Sequence, residues 1–314
     1  MLIALLAAGT MLLAYANGSN DNFKATATVY GSGTLSYRAS LSLATAAQVA
    51  GSVTSVLLAG ALLEAFSGKG LVPPAVIHDP RFLVAVAAGG AATVLVATRL
   101  GLPVSTTHAL IGGLLGASLA LDPGDIAWGS LAGRYATPLL VSPLLAAIAA
   151  AALYPVARFQ PSTAVDRAHT LSALALGFAR GLNDTPKVLA LLVAAGWSGI
   201  QPRTSLVVVS LAMAVGGFLH SRRVAETLGH RITSVSRSEG LLANAVSSSL
   251  VIGASLLGSP VSTTHVSTGA IFGIGVRTGA ADRRVVAGIA AAWVATLPLS
   301  AIISAGLAAM MAIR

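Results

Sequence analysis

Long apolar stretches alternate with short polar ones along almost the whole chain. Stretches that could cross a bilayer, which takes roughly 20 apolar residues, lie at 40–63, 82–99, 136–156, 204–219, 240–257 and 285–313. Backbone polar groups have no water partners in the hydrocarbon core, so each stretch is predicted to be a helix. The pattern therefore predicts an all-α integral membrane protein whose main surroundings are the lipid bilayer.

Composition agrees with this prediction and excludes several other classes of protein. Of the 314 residues 55% are hydrophobic and only 9% are charged, against about 25% charged in soluble domains. The absence of cysteine excludes disulfides, iron–sulfur clusters and thiolate zinc sites. The net charge of +9 comes from residues scattered through short loops, without the basic runs interleaved with aromatic residues that indicate nucleic-acid binding. We expect no nucleic-acid partner.

A polar segment near the N-terminus recurs later in the chain. The segments "ANGSNDNFKA" (16–25) and "ARGLNDTPKV" (179–188) share the pattern A-x-G-x-N-D-x-x-K. The equivalent polar residues are Asn20, Asp21 and Lys24 in the first copy and Asn183, Asp184 and Lys187 in the second. Because the first copy has an internal twin, we expect the apolar N-terminus to belong to the folded protein and not to be a cleaved signal peptide.

A second motif is duplicated in the same order. The segments "LGLPVSTTHALIGGLLG" (100–116) and "LGSPVSTTHVSTGAIFG" (257–273) share L-G-x-P-V-S-T-T-H. Two motifs that recur in the same order indicate an internal duplication. We predict a first repeat at 1–156, a linker at 157–168 and a second repeat at 169–314.

Each repeat is predicted to contain about five membrane segments. One is interrupted by the polar motif, two are plain, one begins at P-V-S-T-T-H and one is the last. An odd number of segments inverts the second repeat relative to the first. The P-V-S-T-T-H segments could be full spans or re-entrant hairpins.

Loop charges agree with such an inversion. The second-repeat loops 220–237 and 277–284 carry excess arginine, whereas their first-repeat counterparts 64–81 and 121–134 have no excess of basic residues, the latter with Asp122 and Asp125 against Arg134. Basic loops stay on the cytoplasmic side. We therefore predict a multi-pass protein of the plasma (inner) membrane with a cytoplasmic linker and both termini outside.

The A-x-G-x-N-D-x-x-K segments place charge at membrane depth. Such charges are costly and usually functional, and an Asp and a Lys three residues apart share one helix face. Gly18 and Ser19 in one copy, and Gly181 and Pro186 in the other, suggest helices interrupted near the midplane, where free backbone groups bind ions. The alternative is a pair of internal salt bridges that hold the repeats together.

The P-V-S-T-T-H motif is typical of a helix start. Pro favours the first turn, and hydroxyls at a positive helix end form an anion site. The hydroxyls are those of Ser105, Thr106 and Thr107 and of Ser262, Thr263 and Thr264. Two such ends could bind phosphate or sulfate, while ordinary N-capping without a ligand is the alternative.

The two histidines and two serines in these motifs have alternative possible roles. His108 and His265 could carry protons, or could be neutral partners that orient the hydroxyls. A hydrolase that uses Ser105 or Ser262 is disfavoured, because the chain lacks a G-x-S-x-G elbow. We expect no enzymatic activity.

The two motifs together resemble the PiT-type inorganic phosphate permease family. Its signature, G-A-N-D-x-A-N-A in each of two inverted halves, is matched by "GSNDNFKA" and "GLNDTPKV" beside the P-V-S-T-T-H segments. The resemblance covers nearly the whole chain. It implies a secondary transporter that moves phosphate with sodium or protons, binds it between the halves and often forms a homodimer.

By matching position, the resemblance implies specific site residues. Asn20, Asp21, Asn183 and Asp184 would bind substrate and ions, including the metal if the ion is sodium, and the six hydroxyls would contact the anion. Beyond possible bound sodium ions, we expect no cofactor.

One departure from the signature affects the coupling ion. Where the family has its second Asn, this chain has Lys24 and Lys187. Our hypothesis is that these ammonium groups replace one or both bound sodium ions, so that coupling falls to protons, with Asn20, Asn183, His108 and His265 also involved.

The carboxylates bear on the choice of substrate. Phosphate keeps a proton near neutral pH that Asp21 and Asp184 can accept, whereas sulfate offers none. A sulfate permease of the same fold and a passive anion channel are the alternatives.

Overall fold

The computed structural model describes residues 1–124, 126–158, 160–196 and 202–313, and within them the fold is helical without β-strands. The helices are α1 (Leu2–Asp21), α2 (Ala27–Gly31), α3 (Tyr37–Leu58), α4 (Gly60–Ala65), α5 (Pro74–Ile77), α6 (Pro80–Arg99), α7 (Thr106–Leu121), α8 (Trp128–Ser130), α9 (Thr137–Leu153), α10 (Thr163–Ala194), α11 (Pro202–His220), α12 (Arg222–Glu226), α13 (Arg237–Leu256), α14 (Thr263–Thr278) and α15 (Arg283–Ala312). Asp125 of the loop 121–134 lies outside the described residues.

The helices include the predicted membrane spans. Among the described residues, six are long and apolar enough to cross a bilayer: Leu2–Gly31, Tyr37–Leu58, Pro80–Arg99, Trp128–Ala157, Arg237–Leu256 and Arg283–Ala312. Thr204–His220 and Arg222–Arg231, bent by 68°, can form a seventh, broken span. Each apolar stretch predicted from the sequence coincides with one of these spans, so the prediction of a helical membrane protein is confirmed.

Short polar side chains fix where several helices begin. Ser36 accepts a hydrogen bond from the backbone at the start of α3, and Asp79 does so at the start of α6. Ser162 caps α10, and Ser236 with Glu239 forms a capping box at α13. These side chains satisfy backbone N–H groups that have no partner within the helix. The start of α10 lies within the predicted linker, 157–168.

The contacts between helices have the symmetry of the duplication. The first repeat supplies α1, α3, α6, α7 and α9, and the second supplies α10, α11, α13, α14 and α15 in the same order. Helix α1 packs against α6 and α11, and correspondingly α10 packs against α13 and α3. Helix α7 packs against α15, as α14 packs against α9. Four helices of each repeat therefore pack against the other repeat in these contacts, and the two five-segment halves form one inverted-repeat unit.

Two equivalent glycines allow helices of opposite repeats to pack closely. A Cβ atom on Gly18 would overlap the carbonyl oxygen of Met213 in α11, and one on Gly181 would overlap that of Gln48 in α3. Close approach of two helix backbones at these points needs a residue without a side chain. The equivalence of Met213 and Gln48 also aligns α11 with α3 at a separation of 165 residues.

The two copies of the polar motif have different backbones. Helix α1 ends at Asp21 and continues as a 3-10 turn, Asn22–Thr26, before α2. Helix α10 instead runs without interruption through its own copy, with Pro186 inside it. Proline removes one backbone hydrogen bond, and here the remaining turns on both sides stay helical. The expected interruption is thus found in the first copy only.

The helices that begin at the S-T-T-H motifs start inside the protein. Ser105 and Ser262, which cap α7 and α14, are both buried. Each helix has 16 residues, about 24 Å, which is shorter than the roughly 30 Å hydrocarbon core. The two helix N-termini contact each other, since Thr264 Oγ1 donates to the Val104 carbonyl at 2.8 Å and Thr107 Oγ1 to that of Val261 at 3.3 Å.

Candidate functional site

The two polar motifs and the two S-T-T-H helix starts converge in one buried cluster. Its ionisable side chains are almost inaccessible: Asp21 and Lys187 are 1% exposed, and Lys24 and Asp184 are 3% exposed. The predicted site residues are therefore brought together. They are Asn20, Asp21, Lys24, Ser105, Thr106, Thr107, His108, Asn183, Asp184, Lys187, Ser262, Thr263, Thr264 and His265.

Oxygen atoms surround the ammonium group of Lys24. Its Nζ donates to Asn20 Oδ1 and to the Val104 carbonyl, both at 2.9 Å. It also donates to Asp21 Oδ1 and to Thr264 Oγ1. The ligands come from both repeats, because Thr264 belongs to the S-T-T-H motif of the second.

The surroundings of Lys187 repeat this arrangement. Its Nζ donates to the Val261 carbonyl at 2.8 Å, to Thr107 Oγ1 at 2.9 Å and to Asp184 Oδ1 at 3.3 Å. Val261 and Thr107 are the equivalents of Val104 and Thr264. Each lysine thus binds its own aspartate, the carbonyl before its own helix start and a threonine of the opposite helix start.

Two asparagines hold the loops that lead into the S-T-T-H helices. Asn20 Nδ2 donates to Thr98 Oγ1 at 2.9 Å and to the Leu102 carbonyl at 3.0 Å, and Asn20 Oδ1 accepts from the Val104 backbone at 3.0 Å.

The second repeat has a matching set of bonds. Asn183 Nδ2 donates to the Val261 carbonyl, and Asn183 Oδ1 accepts from Ser255 Oγ, both at 3.3 Å. The hydroxyls of Thr98 and Ser255 were absent from the sequence prediction. A signal was present, since both lie five residues before the proline of P-V-S-T-T-H in an A-[T/S]-x-L-G context.

Arg180 is the largest site residue that the sequence prediction missed. It is 1% exposed and is the equivalent of Asn17. Its Nη2 donates to Asn17 Oδ1 at 2.6 Å and its Nη1 to Asn22 Oδ1 at 3.1 Å, while its Nε lies 3.6 Å from Asp184 Oδ2. An arginine inside a membrane segment is itself a functional signal, but it lies at a variable position of the shared pattern.

An amide joins the two carboxylates. Asn17 Nδ2 lies 2.8 Å from Asp21 Oδ2, 3.0 Å from Thr106 Oγ1 and 3.4 Å from Asp184 Oδ2. Thr106 Oγ1 also donates to Asp21 Oδ2 at 3.1 Å. Within the described part of the chain, Thr263, the equivalent of Thr106, makes no such bond to Asp184, which has Arg180 beside it instead.

The formal charge of the cluster favours an anion. Two carboxylates face three cationic groups, Lys24, Lys187 and Arg180. With all five ionised, the cluster carries one excess positive charge in a buried site. A charge of this kind is costly unless a counter-ion approaches it.

The serines and histidines of the two motifs have distinct roles in the fold. Ser105 Oγ accepts from the His108 backbone N–H at 3.2 Å and Ser262 Oγ from that of His265 at 3.3 Å, so both serines are N-caps. The rings of His108 and His265 lie 4.7 Å apart, and His265 stacks on Trp293 at 3.9 Å. Neither ring bonds to an S-T-T-H hydroxyl among the described residues.

A multidentate transition-metal site is not formed by the residues that the structure describes, which contain no group of three or more His, Asp or Glu side chains suited to a metal ion. The oxygen atoms around the two lysines are of the kind that hard cations prefer. A sodium ion that crossed the membrane with the anion would be a second substrate.

Several known proteins are similar to this chain in sequence. The model of the phosphate transporter family (PHO4) matches the chain twice, at residues 17–165 and 157–304. A relative from Rhizobium meliloti is 32% identical over 256 residues, which are 76% of this chain and 76% of the relative. A relative from Mycobacterium bovis is 29% identical over 310 residues, 93% of this chain and 73% of the relative. Both are named "Probable low-affinity inorganic phosphate transporter".

A solved structure has the same fold. The protein described as "The sodium-dependent phosphate transporter" superimposes with a TM-score of 0.88 over 99% of both chains at 19% sequence identity. Two successive matches of one family model reflect the duplication of the site motifs. The chain is a multi-pass integral membrane protein and belongs to the phosphate transporter family.

Proposed function

We propose that this chain is a secondary active transporter of inorganic phosphate in which Lys24 and Lys187 take the place of bound cations. The observation that carries the proposal is the pair of equivalent oxygen cages, in which each Nζ contacts an aspartate, a backbone carbonyl and a threonine hydroxyl. A small hard cation is bound by the same ligand types.

A built-in ammonium group changes the source of driving force. A lysine remains attached to the protein, so it can balance the charge of the anion but cannot take energy from a sodium gradient. The two Asp–Lys pairs lie at the centre of the site, and carboxylates inside a membrane are typical members of proton relays in pumps and transporters. We infer that coupling is to protons, with His108 and His265 next to the helix starts as further carriers.

The proposed substrate is phosphate and not sulfate. Asp21 and Asp184 each offer carboxylate oxygens as acceptors, and phosphate with one proton can donate to them, whereas sulfate would meet repulsion. Thr106, Thr107, Thr263 and Thr264, with the two N-cap serines, supply hydroxyls at the positive ends of α7 and α14. A passive anion channel would not require these carboxylates, so their presence favours a coupled carrier.

The orientation in the membrane follows from the loop charges. We place the basic loops after α11 and α14, with the linker before α10, in the cytoplasm of a cell with this protein in its plasma (inner) membrane. Both termini then lie outside. Exposed apolar side chains on α9 and α15, such as Leu140, Ile148 and Ile302, face lipid or a second copy in a homodimer.

Uptake of labelled phosphate into proteoliposomes tests the proposed coupling. We expect an imposed proton gradient to drive accumulation without sodium. In the Lys24→Asn/Lys187→Asn double variant, which restores the amide of the family signature, we expect uptake to respond to sodium. Wild-type uptake that strictly required a sodium gradient and ignored a pH gradient would contradict the proposal.

Two controls separate the alternatives. Unlabelled sulfate added as competitor should leave phosphate uptake largely intact, and full competition with slight phosphate transport would favour a sulfate permease. Asp21→Asn should abolish accumulation while exchange of labelled for unlabelled phosphate persists. If accumulation survived in Asp21→Asn, the carboxylate would have no part in coupling.

A further inference from the structure

A large cavity lies between α1, α6, α11 and α12, outside the central site. Its volume is about 830 Å³, and its walls include Leu12, Leu95 and Leu219. The hydroxyl of Tyr15 and Nδ1 of His220 form a hydrogen bond in its wall. None of the motifs that identify the family contributes a residue to this lining.

The rim of the cavity is strongly basic. Arg99, Arg222 and Arg223 line it, together with a single carboxylate, Glu226. Arg222 Nε pairs with Glu226 at 3.3 Å, and both side chains are exposed. Arg223 Nη1 donates to the carbonyl of Arg99, which ties the start of α12 to the end of α6. The rim therefore has more cationic than anionic groups, and guanidinium groups are well suited to phosphate.

The floor of the cavity connects it to the central site. Thr98 lines the cavity and is 4% exposed. Its hydroxyl accepts a hydrogen bond from Asn20, which in turn binds the ammonium group of Lys24. Hydrogen bonds through Thr98 and Asn20 thus link the basic cavity to the lysine cage of the first repeat.

The equivalent positions around Ser255 of the second repeat do not carry these charges. The duplication aligns Arg99 with Leu256, and the alignment of α11 with α3 places Leu57 and Leu58 opposite Arg222 and Arg223. These leucines are exposed. Thr98 keeps a hydroxyl-bearing equivalent in Ser255, which binds Asn183. The hydroxyl at position 98 or 255 is therefore common to both repeats, whereas the arginines are present at only one of the two sets of equivalent positions.

We infer that this cavity is an oxyanion-binding vestibule, in which Arg99, Arg222 and Arg223 hold inorganic phosphate above Thr98 before it enters, or after it leaves, the central site. The route onward rests on the proposed function, but binding in the vestibule does not. A positive cleft with low-dielectric walls raises the local concentration of an anion. Because leucines occupy the equivalent positions of the other set, we expect this effect at the vestibule and not there.

A single introduced thiol can report on the vestibule, since the chain has no cysteine. The reporter is Leu219→Cys, at an exposed side chain of the lining, with Leu12→Cys as a second reporter. The control is Leu58→Cys, at the exposed leucine that is equivalent to Arg223. The purified full-length variants in detergent are labelled with a negatively or a positively charged methanethiosulfonate of similar size.

The inference predicts a distinct pattern of labelling rates. The ratio of anionic to cationic rates should be several-fold higher at the vestibule reporters than at Leu58→Cys, and should fall as salt is added. Inorganic phosphate should slow labelling in the vestibule more than chloride at equal ionic strength. Adding Arg99→Gln and Arg222→Gln should remove both effects, whereas Arg283→Gln, a matched exposed arginine at the start of α15, should leave them.

Three outcomes would overturn the inference: equal anionic and cationic rates, phosphate no better than chloride, or insensitivity to the arginine substitutions. A further arm distinguishes phosphate from a lipid headgroup, because both present the same phosphate chemistry. If protection appeared only in vesicles that contain phosphatidylglycerol, and not in phosphatidylcholine vesicles with added phosphate, the ligand would be the headgroup. Labelling needs no transport, so protection without uptake would defeat the proposed function and keep the vestibule.

Discussion

The two halves of the site agree in their lysine cages and differ in what surrounds them. Lys24 and Lys187 bind equivalent partners, and Asn20 and Asn183 hold equivalent loops. Only the second half adds a buried arginine, Arg180, where the first has an amide. The frame around the lysines is thus symmetric, while the arginine at the centre and the basic rim outside it are each present once.

This difference indicates a division of labour. In the transporter that we propose, alternating access exchanges the roles of two similar halves, so the contacts that open and close the site have to exist in both. Substrate charge has to be balanced once, at the centre, and an extra cation in one half is sufficient for that. The symmetric contacts would therefore govern movement, and the asymmetric ones would govern binding and its direction.

Removing a carboxylate should expose the asymmetry most strongly. Asp184→Asn leaves both Lys187 and Arg180 without their nearest carboxylate, whereas Asp21→Asn leaves only Lys24. Removing one partner of a buried ion pair costs about 3–5 kcal/mol, because the other charge is left without a counter-charge. Since Asp184→Asn affects two cations, we expect it to lower the thermal midpoint in detergent further than Asp21→Asn. Asp166→Asn, which breaks a partly exposed pair with Arg237, is the control and should cost at most about 1 kcal/mol. Equal drops in thermal midpoint for the two buried aspartates would show that Arg180 adds nothing to the role of Asp184.

Arg180→Asn makes position 180 identical to its twin, Asn17. The oxygens of Asn17 and Asn22 then lose their charged donor, and bonds of this kind are worth about 1.5–3 kcal/mol each. We expect phosphate uptake to fall by about tenfold, equivalent to about 1.4 kcal/mol, mainly through a higher KM. The combination with Asp184→Asn should cost less stability than the sum of the two changes, because the residues are partners. Additive losses would mean that they do not interact.

The symmetric contacts predict equal effects. Gly18→Ala and Gly181→Ala each push a methyl group into the backbone of the opposite repeat, and overpacking costs about 1–3 kcal/mol. We expect similar drops in thermal midpoint and similar losses of uptake rate. Gly288→Ala, where the added Cβ meets open space, is the control. A strong effect at only one of the two glycines would show that the repeats are not mechanically equivalent.

The sequence could predict the helices, the duplication and the meeting of the two motifs. Apolar length marks the spans, and pairs such as Asp21 with Asp184 are recognisable because the motif recurs. It could not predict that the interruption occurs in only one copy, since Pro186 is compatible with a helix whose other turns remain bonded. Nor could the hydrophobic pattern predict that α1 packs against α11, because an apolar helix face does not identify the helix that packs against it.

Arg180 and Thr98 were missed for different reasons. A repeat is recognisable from residues that are the same in both copies, and Arg180 differs from Asn17. Thr98 resembles Ser255 but lies before the matching segments 100–116 and 257–273. The role of either depends on three-dimensional neighbours, namely Asp184 for the arginine and Asn20 for the threonine.

The smallest expected difference lies at the ends of two equivalent helices. Asp79 caps α6 and pairs with Arg81, whereas Ser236 caps α13 at the equivalent position. Loss of either cap, in Asp79→Ala or Ser236→Ala, should cost about 1 kcal/mol. Hydrogen exchange followed by mass spectrometry should detect faster exchange in the first turn of the affected helix and no change in the other.

Acid should distinguish these two caps. Hydrogen bonds from Arg81 lower the pKa of the Asp79 carboxyl. A carboxyl whose pKa is lower in the folded state stabilises the fold above its unfolded pKa, about 3.9, and that contribution is lost as the pH falls through the lower folded value. The first turn of α6 should therefore loosen in the wild type as the pH falls below about 4, and Asp79→Asn, which keeps a capping oxygen but no charge, should remove this dependence. If the Asn variant kept the same acid profile, the loosening would arise elsewhere and the ion pair with Arg81 would contribute nothing to the helix end.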